Sequence, residues 1–124
     1  MKKKLLERLG EFGVIPPAED EGLLARVLEE AKSQILAETG QPDLPLDLKP
    51  VVVDMAAGAY LLFRKSIGAL EGFDQEHAVR QMSQGDTSIT YAIAAEQKSP
   101  LDALIERLRT PPPALMNQWR RMRW

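Results

Sequence analysis

The 124-residue chain suits a single domain, residues 1–124, and leaves no room for two independent cores. Apolar residues at 44% and charged residues at 27% exclude a disordered composition, and with only seven aromatics the core must come mostly from Leu, Ile, Val, Ala and Met. No cysteine is present, which excludes disulfides, thiolate metal sites and cysteine nucleophiles and fits a reducing cytoplasm. The net charge of −2 hides an acidic body, −6 over residues 1–97 with ten basic and sixteen acidic side chains. It also hides a basic end, +4 over residues 98–124 with six basic and two acidic. Such a division suits head-to-tail attraction between copies, or an acidic partner.

Lys2 to Phe12 places Leu5, Leu6, Leu9 and Phe12 at helical spacing, with Pro16-Pro17 as the stop. Met1-Lys2-Lys3-Lys4 begins like a targeting signal, but Glu7 and Arg8 interrupt the apolar run that would have to follow. Glu19-Asp20-Glu21 puts three acids where a helix N-terminus favours negative charge. The helix that follows carries Leu24, Val27, Leu28, Ala31 and Ile35 on one face, and Gly40 with Pro42 marks its end. From Val51 to about Ile67 nearly every residue up to Arg64-Lys65 is apolar, with Asp54 as the interruption. That run is too short for a bilayer, which needs roughly 20 residues, so the chain reads as soluble with no membrane contact. A helix apolar nearly all round is buried on most sides, either against a neighbouring subunit or as the central helix of a bundle. Ala56-Ala57-Gly58-Ala59 gives it a smooth patch for close packing.

Gln84-Gly85-Asp86 signals a turn, and residues 87–93 alternate with period two, Thr87, Ile89, Tyr91 and Ile93 sharing one face. Ser99-Pro100 opens a last clear helix with Leu101, Leu104, Ile105 and Leu108 on one stripe, ended by Pro111-Pro112-Pro113. The expected fold is therefore mainly α. It is a small bundle of about four helices with one β-hairpin or extended arm near residues 79–93. Residues 111–124 form a Pro-led basic and aromatic tail.

No catalytic constellation accompanies this organisation. His77 is the sole histidine, its neighbour Glu76 does not share its face on a helix, and Gly68, Gly72 and Gly85 are too scattered for a phosphate loop. The chain is not read as an enzyme, and no catalytic, cofactor or metal residue is expected. An active site assembled from several subunits is the one enzymatic possibility left open.

Three stretches together resemble the small head–tail connector (adaptor) family of tailed bacteriophages and prophages. They are Asp20-Glu21-Gly22-Leu23-Leu24 through Ala31 to Thr39-Gly40, then Pro50-Val51-Val52-Val53-Asp54-Met55-Ala56 with Tyr60, then Met82-Ser83-Gln84-Gly85-Asp86-Thr87-Ser88-Ile89-Thr90-Tyr91. The closing Trp119-Arg120-Arg121-Met122-Arg123-Trp124 is similar to the basic, aromatic end of many members. The Lys-rich start and the triple proline depart from the pattern. The resemblance implies a structural subunit of the virion neck, made in the bacterial cytoplasm. It would form a ring under the portal protein, most often dodecameric, and carry a stopper or tail-completion protein. DNA would pass through the bore without sequence-specific binding.

On that reading Gly85, Asp86, Thr87, Ile89, Tyr91 and Ile93 form the subunit interface, because an exposed strand completes its hydrogen bonding on another chain. Trp119, Arg120, Arg121, Arg123 and Trp124 dock on the portal or a neighbour, since Trp and Arg dominate interface hot spots. Packing of the hairpin on its own bundle, and for the end a disordered tail or a Trp folded back into its own core, are the plainer alternatives. Two other functions stay open: a small nucleic-acid-binding protein using the Trp/Arg tail, and another phage neck or tail-completion protein.

Overall fold

The computed structural model describes residues 1–68 and 100–121, with the backbone alone at Pro100, Leu101 and Arg121. Within them the protein is mainly α. Four helices pack as a small bundle, α1 (Lys2–Glu11), α2 (Glu21–Thr39), α3 (Lys49–Ser66) and α4 (Pro100–Arg109), and a short fifth, α5 (Pro113–Arg121), lies on its flank. No strand occurs among the described residues, and the hairpin or arm expected near residues 79–93 lies outside them.

Ten residues make a marginal helix on their own, so α1 depends on what it buries. Leu5, Leu9 and Phe12 are fully buried, each worth roughly 1.5–3 kcal/mol against exposure, whereas Leu6 stays 40% exposed one position off that stripe. The helix stops before the prolines. Gly13 takes φ 78°, its N–H reaches the Gly10 carbonyl at 3.0 Å, and the Val14 N–H reaches that of Leu9 at 2.9 Å. This paired closure needs a left-handed residue and an apolar one after it, and Val14 is 5% exposed.

A turn of 3₁₀ helix at Ala18–Asp20 leads into α2. Asp20 makes no side-chain cap bond there, contrary to the capping role its position implies, because its carboxylate turns to α3. The predicted apolar face is buried from Leu24 to Ile35, and Gly40, at φ 68°, ends the helix by donating to the Leu36 carbonyl at 2.9 Å.

α3 is the centre of the bundle, flanked by α1, α2 and α4 of its own chain. Of the two burials open to so apolar a helix, the intramolecular one is the one found. Val52, Ala56, Ala57, Tyr60 and Leu61 have no exposure at all. The small-residue patch lets α4 approach closely: a Cβ on Gly58 would stand 2.7 Å from Cγ of Arg109 and 3.0 Å from Cβ of Leu108. Asp54, the interruption in the run, accepts a hydrogen bond at 2.8 Å from Nε of Arg8 on α1. The predicted stripe of α4 is present, with Leu104, Ile105 and Leu108 all in the core.

Candidate functional site

The residues read as a docking tail form a helix. Pro113 suits the first helical position, where its missing N–H is not needed, and Leu115, Met116 and Trp119 then fall on one side. Met116 is 2% exposed within the core, and Leu115 and Trp119 are partly buried against it. The polar contacts come from the end of α2. Nε2 of Gln41 donates to the Trp119 carbonyl at 3.0 Å, Nε of Arg120 donates to the Glu38 carbonyl at 3.1 Å, and Arg120 Nη2 lies 3.8 Å from the Glu38 carboxylate. Arg120 remains exposed, and its Nη1 donates to Oδ1 of Asn117 at 3.0 Å. The indole Nε1 of Trp119 is buried with no hydrogen-bond partner. Buried donors are rarely left so, because removal from water without replacement is costly.

Thus Trp119 and Arg120 are brought to one place, and Arg121 ends the same helix. Arg123 and Trp124 lie outside the described residues, as do Gly85, Asp86, Thr87, Ile89, Tyr91, Ile93 and His77. Glu38 and Gln41 were not singled out from the sequence, and nothing local in it pairs them with a helix some 80 positions on.

A second polar cluster fastens α2 to α3. The hydroxyl of Tyr60 donates to Oδ2 of Asp20 at 2.6 Å, and Arg64 Nη1 stands 3.6 Å from the same oxygen. Burial, aided by the hydrogen bond to Asp20, pushes the Tyr60 phenol up to about 12. Burial likewise raises the Asp54 carboxyl above its ordinary value, against the pull of Arg8. Both groups hold helices together and face other side chains of the bundle. Among the described residues no group of three or more His, Asp or Glu is placed to hold a metal, and no helix is long and apolar enough to cross a membrane.

Between α1 and the start of α3 runs an open groove with Met1, Leu46 and Val53 along it and Lys4, Glu7 and Lys49 at its rim. Its charges are mixed, and Arg8 on its wall donates hydrogen bonds to both Glu11 and Asp54. Comparison with models of known protein families, with curated proteins and with solved structures finds no match to this chain.

Proposed function

We propose that the chain is a structural head–tail connector subunit of a tailed bacteriophage or prophage. It assembles as a ring under the portal, extends the DNA channel and joins head to tail. The observation that carries this reading is the joint occurrence of the three resembling stretches and the basic, Trp-terminated end in one short chain. Two of those stretches run along α2 and α3, which pack against each other in the bundle. Asp20 opens the first stretch and Tyr60 closes the second, and these two are the residues that hydrogen-bond between the helices. The motif residues thus double as fasteners of a helical subunit, the kind of fold the resemblance implies.

In this reading Gly85, Asp86, Thr87, Ile89, Tyr91 and Ile93 meet the adjacent subunit. Arg120, exposed on α5 beside the Trp119 seat, is on the surface offered to the portal or a neighbour. The test is molar mass by light scattering on a sizing column, alone and with the cognate portal protein. A large ring, or a monomer that co-elutes with the portal, is the expected result. A monomer or dimer that ignores the portal refutes the reading. A companion variant with Ile89→Ser and Tyr91→Ser should lose assembly while keeping its helical content, and unchanged assembly would remove that segment from the interface.

A further inference from the structure

α5 is held differently from the other helices. α1 to α4 are joined through α3, whereas among the described helices α5 rests chiefly on α2. Its polar anchors Glu38 and Gln41 lie at or just beyond the end of α2, the far side from its tether. The tether is three residues, Thr110, Pro111 and Pro112. Each proline fixes its own φ and biases the residue before it toward extended backbone, so this hinge favours a straight path over a fold-back. Short hinges of that kind promote exchange of a terminal element between identical chains, since the exchanged element regains every contact of the closed form. The seat is charge-complementary whichever copy supplies it, with Arg120 of α5 beside the Glu38 carboxylate of α2.

We propose that α5 is exchanged between copies of this chain, with the α5 of one molecule, extended on Thr110, Pro111 and Pro112, seated on the α2 of the next. The same donors act in the exchanged form, Gln41 to the incoming Trp119 carbonyl and the incoming Arg120 to the Glu38 carbonyl. Passed from chain to chain, the exchange links subunits in one direction. This deepens the ring reading above, and rests on it only for closure into a ring beneath a portal.

The chain has no cysteine, so engineered thiols are unique. Full-length Glu38→Cys and Arg120→Cys variants, made separately, are mixed, equilibrated and treated with a short thiol–thiol crosslinker, and a chain carrying both substitutions is treated alone. The mixture is expected to give heterodimers well above either homodimer, their yield in dilute solution rising about tenfold for a tenfold rise in concentration. The double variant is expected to give dimers and longer products. A double variant that crosslinks only within one chain, with a mixture that gives no excess heterodimer, overturns the proposal. Sedimentation of the unsubstituted chain guards against variants that disturb the seat: a mass that stays monomeric up to the solubility limit overturns exchange by itself. Portal co-elution of chains whose crosslinks are all internal sinks the exchange and keeps the connector reading. Intermolecular crosslinks in a chain that ignores the portal do the reverse.

Discussion

Tyr60→Phe isolates the fastening between α2 and α3. The ring is fully buried and is kept, so the packing of α3 is unchanged, and the loss is the hydroxyl that donates to Asp20 at 2.6 Å. A hydrogen bond to a charged acceptor nets about 1.5–3 kcal/mol. Asp20 retains Arg64 at 3.6 Å, so its carboxylate is not left alone and a value of about 2 kcal/mol is expected. For a domain of this size that lowers Tm by roughly 8 °C. The assay is urea unfolding followed by far-UV circular dichroism on the wild type, Tyr60→Phe, Asp20→Asn and the double variant. The coupling between the two sites should be about 1 kcal/mol or more. There is a second signature in pH. A phenol whose value rises from 10.0 to about 12 on folding contributes stability that is complete below pH 10 and is lost as pH climbs toward 12. The wild type should therefore lose its advantage over Tyr60→Phe across that window. A Tyr60→Phe chain within about 0.5 kcal/mol of wild type, with no coupling to Asp20, would refute the argument.

Leu9→Ala empties a fully buried position on the short helix α1 and should cost about 2–5 kcal/mol, read as a lower urea midpoint at unchanged slope. Gly58→Val brings a Cβ to 2.7 Å from Arg109 Cγ and adds two methyls where α3 meets α4, so a loss of about 1–3 kcal/mol is expected. Gly58→Ala should cost less, because the gain in helix propensity, about 1 kcal/mol, offsets part of the crowding. Asp54→Asn tests the half-buried carboxyl. Its folded value lies above 3.8, so the folded state holds the proton more tightly and stability declines as pH rises from 3.8 through that higher value. The Asn chain should lack this decline in thermal unfolding, and a wild-type-to-variant difference that is constant with pH would contradict it.

Much of the bundle was legible because period and punctuation agree. Leu5, Leu9 and Phe12 are spaced for one face and are buried together, and Gly40 ends α2 where a left-handed residue is needed. The all-apolar run of α3 announced burial, but not the partner that supplies it, since the partners are helices far along the chain. Asp54 stood out as an interruption, while its reason, Arg8, lies 46 positions earlier and is found only in the fold. Triple proline reads as the end of a helix and the start of a tail. It ends α4, yet Pro113 is well suited to begin a helix, and the i, i+1, i+4 spacing of Leu115, Met116 and Trp119 was the signal for one. Of the candidate docking residues, Trp119 and Arg120 could be placed against Gln41 and Glu38, a pairing no local pattern encodes. The strand signal from Thr87 to Ile93 lies outside the described residues.

The end of α3 and the beginning of α4 stand side by side, Lys65 paired with Asp102. The two helices therefore present neighbouring ends, at Lys65 and at Asp102. The entropic cost of a flexible connection between two such ends grows only with the logarithm of its length, about 0.6 kcal/mol for each doubling. The scaffold is thus nearly indifferent to how long the stretch between the two ends is. A lineage could lengthen, trim or rewrite those residues to suit a changing neighbour while Tyr60, Asp20 and the α3 core stayed as they are. Novelty would accumulate between the two ends and constancy in the helices that carry them.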